Sequence, residues 1–193
     1  MLSTFAIIKI RIEVDIMAII IIVLLISVLL LITNIFTDKI TFLTIKLNNI
    51  EEKINSTLIK RKELIKDSEE VIKEVVKTKK EIYSGLSKIN DKNITMMELD
   101  RKLLIYINEF YLIKDKYLDL QKNEEFQKIA FKIAETEDLL NAYKDYYNDN
   151  ASKYNKLIKQ FPIIIITLIK RKKEKLFFDN KSINDNDYNE FKY

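Results

Sequence analysis

The chain has no cysteine and no histidine, and its 193 residues include a single glycine and a single proline. Without Cys and His there are no thiol nucleophiles, disulfides, lipoprotein cysteine, Cys/His zinc sites or the Glu-x-x-His ligands of di-iron bundles. Gly and Pro punctuate turns and hairpins, so their scarcity predicts an all-α chain of a few long helices with Asn- and Asp-rich connections. An excess of one charge is missing too. Lys+Arg number 33 against 29 Asp+Glu, a net +4, interleaved as on solvated helix faces. A nucleic-acid binder would be more one-sided, and no nucleic-acid partner is expected.

What is abundant is Ile, Lys and Asn, and the Ile is not evenly spread. From Ile16 to Phe36 the sequence IMAIIIIVLLISVLLLITNIF carries no charge over 21 residues. A helix of that length rises about 31 Å, enough to cross a bilayer core. A cleaved signal peptide is the competing reading, but the apolar run is too long for one and no small-x-small site follows it. Residues 1–15 alternate apolar and charged from Ile8 to Asp15, a period-2 pattern with no strand partner in view. One hypothesis is translation from Met17, which a native mass including residues 1–16 would overturn. Lys9 and Arg11 precede the span and Lys39, Lys46 and Lys53 follow it. With Met17 as the start the N side has no basic side chain, which places the bulk of the chain in the cytoplasm by the positive-inside rule.

Beyond the span, residues 37–162 are expected to form an elongated antiparallel bundle of three to four helices. Leu43, Leu47, Ile50, Ile54, Leu58 and Ile65 keep helical spacing. The pattern loosens near Lys66, where Asp67 and Glu70 resemble a capping box, and Ile72, Val75, Ile82 and Leu86 resume a stripe to about Ser87. Two helices or one kinked helix both satisfy this. Gly85–Asn93 (GLSKINDKN) is a connection. Thr95-Met-Met-Glu98 is a capping box opening a seam of Met96, Leu99, Leu103, Tyr106, Phe110, Ile113 and Tyr117. Asp119–Lys122 is a turn and Asn123 an N-cap, with Glu124 and Glu125 on the positive end of the dipole.

The last helix is expected to end at Phe161, since Pro162 disfavours helical geometry just before it. Phe126, Ile133, Leu140, Tyr147, Tyr154 and Phe161 recur every seven residues along it, one buried seam. Four antiparallel helices would return Phe161 to the membrane side and three would leave it at the far end; four is the favoured count.

Residues 163–178 form an apolar and basic tail: IIIITLI, then Lys170, Arg171, Lys172, Lys173 and Lys175, then Leu176-Phe177-Phe178. Seven residues cannot span a bilayer. The tail either packs over the bundle end or touches anionic lipid, where each base contributes about 1 kcal/mol. Residues 179–193 are polar, aperiodic and expected to be disordered.

Candidate chemistry is sparse. Glu135, Glu137 and Asp138 splay around one helix and read as a solvated acidic face, not a cation site. Tyr147-Asn148 and Tyr154-Asn155 repeat at seven residues, either fixing register in the seam or opening a polar ligand pocket. Ser152, Thr136 and Lys144 share the helix with no base or oxyanion hole in view. No catalytic residue, metal, cofactor or small-molecule substrate is expected.

Taken together, these motifs resemble the LemA family. The match is strongest over Tyr117–Phe178: Asn-Glu-x-Phe opening the helix, Glu-Thr-Glu, two Tyr-Asn pairs, Phe-Pro, and a Phe-Phe pair. Leu58–Val75 (LIKRKELIKDSEEVIKEV) matches more weakly. The departures are Lys66 where the family commonly has Pro, Leu139 where Arg is common, and IIIITLIKRKKEK in place of a Gly-rich segment. The resemblance implies a single-pass membrane protein with an antiparallel helical bundle and no established catalytic activity. Phe126, Glu135, Glu137, Tyr147, Asn148, Tyr154, Asn155, Phe161 and Pro162 are its structural signature. A non-enzymatic scaffold with a protein partner or self-association is the expected role, and a membrane-remodelling or bridging protein with a lipid-binding tail is the alternative.

Overall fold

The computed structural model describes residues 2–89 and 94–178, with side chains from Arg11 onward except Ile12. The expected disordered segment 179–193 and residues 90–93 of the connection lie outside the described residues. The described chain is all-helical, without strands. It contains α1 (Leu2–Val76), α2 (Met96–Lys116), α3 (Leu118–Lys122), α4 (Glu124–Ile158) and α5 (Ile163–Ile169).

Helix α1 settles the question left open near Lys66. It is one helix through that point, and the alternating segment Ile8–Asp15 belongs to it. Asp67 and Glu70 are interior helical residues. Ser68 between them is buried, with its hydroxyl on Ile65 O at 2.7 Å and 3.1 Å from the Tyr83 hydroxyl. The predicted stripe through Ile82 and Leu86 is corrected, because α1 stops at Val76. Its end has a left-handed residue, Lys77 at φ 55°, followed by Thr78 N–H reaching back to Lys73 O at 3.1 Å. Such an ending usually takes Gly. With one Gly in the chain, a lysine fills the position.

Two compact units divide the chain: Met1–Thr44 with Lys153–Lys175, and Ile45–Ser152 with Leu176–Tyr193. In the second unit, α1 and α4 meet at Lys53–Tyr143, Lys60–Glu135 and Arg61–Thr136. Numbers rise along one helix as they fall along the other, so the two are antiparallel. Asp100–Lys144, Tyr111–Glu137 and Phe110–Phe126 make α2 antiparallel to α4 as well. It follows that α2 runs parallel to α1.

The stretch between them makes this possible. Glu69 accepts from Ile82 N–H at 3.0 Å, Ser68 meets Tyr83, and Lys62 donates to Ile89 O at 2.7 Å. Residues 77–89 therefore retrace α1 toward its start, with only a 3-10 turn at Leu86–Lys88. Gly85 at φ 89° caps that turn in a region closed to most side chains. Among the described residues the bundle has three long helices, not the favoured four, and the missing pass is made by this unwound segment.

Its core follows a three-and-four spacing on α1 through Leu47, Ile50, Ile54, Leu58, Ile65 and Ile72, all buried, with buried Arg61 and Ser68 filling the same line. On α2 the buried apolar line is Leu99, Leu103, Ile107 and Phe110; Ile107 was not in the predicted seam. Both caps form as expected. Thr95 accepts from Glu98 N–H at 3.2 Å and Asn123 from Phe126 N–H at 2.8 Å. The turn expected at Asp119–Lys122 is the short helix α3.

On α4 the heptad positions Phe126 to Tyr154 are buried, but Phe161 is 77% exposed. The helix ends at Ile158, before the predicted boundary. Lys159 and Gln160 tighten onto carbonyls three residues back, and the Thr167 hydroxyl donates to the freed Ile158 O at 2.8 Å.

Candidate functional site

Four groups of side chains qualify for consideration as sites. The first is polar and buried. Arg61 on α1 is 2% exposed and donates through Nε to the Thr136 hydroxyl at 3.2 Å; that hydroxyl in turn bonds Ile133 O at 2.7 Å. Lys144 on α4 pairs with Asp100 on α2, both buried. Glu137 accepts from the Tyr111 hydroxyl at 3.4 Å. Desolvation lowers the Arg61 pKa from its ordinary value, although Asp100 and Glu137 oppose this. Burial and the nearby Glu137 raise that of Tyr111. Arg61 Nη2 and Asp100 Oδ1 have no hydrogen-bond partner. A buried charge is costly unless paired, so this cluster fixes which faces of three helices meet.

Thr136 and Lys144, considered above as nucleophile partners, are both taken up in this network, and Ser152 lies two turns beyond Lys144, half-buried. Sequence reasoning missed Arg61 and Asp100. Each sits among other charges. Only the three-and-four line that Arg61 shares with Leu58 and Ile65, and Asp100 with Leu103 and Ile107, could have shown them.

The second group is the Tyr-Asn repeat. In one unit Asn148 Nδ2 donates to Phe178 O at 2.9 Å while its Oδ1 accepts from Phe178 N–H at 2.8 Å. In the other, Asn155 does the same to Lys175, with both bonds at 2.8 Å. Each side-chain amide matches the donor and acceptor of one backbone residue. Tyr147 packs edge-on against Phe178 at 5.2 Å. Its hydroxyl bonds Glu51, and burial with that carboxylate pushes the phenol up to about 12. The two Asn side chains therefore clamp the backbone of the tail. Their periodicity alone did not show this use.

The third group is the apolar and basic tail. Ile163 and Thr167 of α5 are buried, whereas Ile164, Ile165, Leu168 and Ile169 are exposed. Lys170, Arg171, Lys172 and Lys173 are exposed beside them. Lys175 stands apart, half-buried with its backbone held by Asn155. Glu174, which interrupts the basic run, pairs with Lys159 at 2.8 Å.

The fourth is a groove of about 540 Å³ lined by α1 and residues 81–87, among them Lys62, Lys66, Glu69 and Tyr83. Its charges are mixed and several are engaged: Glu69 holds Lys73 at 2.7 Å and the Ile82 N–H. Partial burial raises the Glu69 pKa, but Lys73 and Ile82 outweigh it and hold the carboxyl below its usual value.

Glu135, Glu137 and Asp138 are not drawn together. Glu135 lies 4.0 Å from Lys60 and Glu137 faces Tyr111. Among the described residues no three acidic side chains converge as metal ligands.

Compared with known families, residues 46–189 match the LemA family model. The chain belongs to the LemA family. Comparison with curated proteins and with solved structures finds no match to set beside it. Membership in the LemA family covers most of the chain and includes the three long helices of the bundle from residue 46 onward, the Asn clamps and the basic tail. Among the described residues of this LemA protein, one helix, near the N-terminus, is long and apolar enough to cross a membrane.

Proposed function

We propose that this LemA-family chain is a non-enzymatic scaffold held at the cell membrane by a single span at Ile16–Phe36, with the bulk of the chain in the cytoplasm. The observation carrying this reading is the start of α1. Its large apolar side chains from Val14 to Leu31 are exposed, and the same helix continues into the bundle. Exposed apolar surface of that extent is unfavourable in water and favourable in lipid. The buried charges support a structural role, since Arg61 bonds Thr136 and Lys144 pairs with Asp100 inside the bundle.

A scaffold needs a partner protein or a second copy. Phe131, 74% exposed on α4, and Leu112 on α2 are apolar side chains that the bundle leaves uncovered. A photo-crosslinker placed at either position in intact membranes is expected to capture a self-dimer or one partner of reproducible mass. Recovery of the monomer alone from both positions would overturn the scaffold reading.

A further inference from the structure

We infer that α5 and the four cations after it form a second membrane contact, seated in the anionic headgroups of the same bilayer that α1 crosses. The inference rests on reading α1 as an anchor and adds a lipid-binding surface to it.

Three observations meet here. First, α5 has seven residues and exposes four apolar ones, Ile164, Ile165, Leu168 and Ile169, with Phe161 exposed just before it. Pairs four apart in a helix share a face, so Ile164 with Leu168 and Ile165 with Ile169 make one apolar surface. Second, Lys170, Arg171, Lys172 and Lys173 follow, all exposed. The turn after α5 is closed by Lys172 N–H on Thr167 O at 2.9 Å, with Arg171 left-handed at φ 50°. An apolar face edged by bases is the chemistry of an interfacial segment.

Third, this segment lies in one compact unit with residues 1–44 of α1. The apolar side chains of α1 are exposed through Leu31, and burial begins with half-buried Thr33, Phe36 and Thr37 and reaches Ile40. The other segment of that unit is Lys153–Lys175. Thr33 lies just inside the C-terminal end of the Ile16–Phe36 span and Ile40 about 6 Å beyond that end, so the cover on α1 starts at the edge of the hydrocarbon and passes through the headgroup layer. An apolar and cationic face at that depth meets its own bilayer, not a second one.

The chain has no tryptophan, so single substitutions give clean reporters. Full-length Leu168→Trp would be reconstituted in phosphatidylcholine bilayers with and without phosphatidylglycerol, with brominated acyl chains placed in the same bilayer or in added protein-free vesicles. Ile169→Trp serves as a second reporter, Leu112→Trp as an aqueous reference and Leu24→Trp as a reporter of the span. The expected result is a blue-shifted Leu168→Trp that is quenched from its own anionic bilayer. Both signals should be lost when Lys170, Arg171, Lys172 and Lys173 are all changed to Gln. Quenching of both tail reporters no stronger than that of Leu112→Trp overturns the inference, as does quenching only by the added vesicles. An unquenched Leu24→Trp overturns the anchor reading itself; a quenched Leu24→Trp with unquenched tail reporters overturns the lipid contact alone.

Discussion

The two halves of α1 share the same apolar residue types and treat them in opposite ways. Between Val14 and Leu31 nearly every side chain is Ile, Leu or Val and is exposed around the whole helix. Between Leu47 and Ile72 the same residue types occupy one stripe and are buried, with Lys and Glu on the remaining faces. A helix apolar all round needs an apolar surrounding, and a striped one needs a partner. The near absence of charge from the first half and, Arg61 apart, its confinement to the faces outside the stripe in the second separate the two.

The sharpest way to break this comparison is Leu24→Arg with Leu25→Arg. Each Arg near the centre of a span costs about 2.5–3.5 kcal/mol on the insertion scale. The pair should abolish retention of the chain in membranes washed with alkaline carbonate, while thermal unfolding of the bundle in mild detergent is unchanged. Full retention would remove the distinction between the halves.

Next in size is Lys144→Met, which strands Asp100 inside the bundle. Removing one member of a buried pair costs about 3–5 kcal/mol, and Asp100→Leu added to it should recover only part of the loss, because Arg61 then lacks the carboxylate that opposes its desolvation. Urea unfolding followed by circular dichroism would read both. A single variant as stable as the parent would mean that the pair contributes nothing to the buried half.

A matched pair of substitutions compares the halves directly. Leu58→Ala, at a fully buried position, should lower bundle stability by about 2–5 kcal/mol. Leu24→Ala should leave it unchanged in the same urea titration. Equal effects at the two sites would sink the comparison.

The smallest effect has the opposite sign. Lys77 ends the buried half in a left-handed conformation, which costs a non-glycine residue about 1–2 kcal/mol. Lys77→Gly should therefore raise the unfolding midpoint, by an amount worth about 1 kcal/mol. A lowered midpoint would show that the lysine side chain contributes more than its backbone costs.

Much of this architecture was legible in the sequence because it depends on near neighbours. The uncharged run, the caps at Thr95 and Asn123 and the seam from Phe126 to Tyr154 are local patterns, and the structure has each of them. The parts that were not legible depend on residues far apart. Asp67 and Glu70 imitate a helix start, but α1 runs on through them, with Ser68 between them packed against Tyr83. Phe161 keeps the heptad interval but falls beyond the last helical turn. Arg61 and Asp100 look like surface charges until a third helix brings Thr136 and Lys144 to them. The Asn clamps bind tail residues 20 and 30 positions away, where periodicity carries no information.

The unwound stretch from Lys77 to Ile89 also settles a matter of parity. Three rods alone make an odd number of passes, and a chain that enters such a bundle at one end leaves it at the other. One further pass that is not a rod makes the number even. Glu51 and Tyr147, near the entrance and exit of the bundle, are accordingly hydrogen-bonded neighbours. Counting helices cannot tell on which side a chain of this kind finishes; counting the times it reverses direction can.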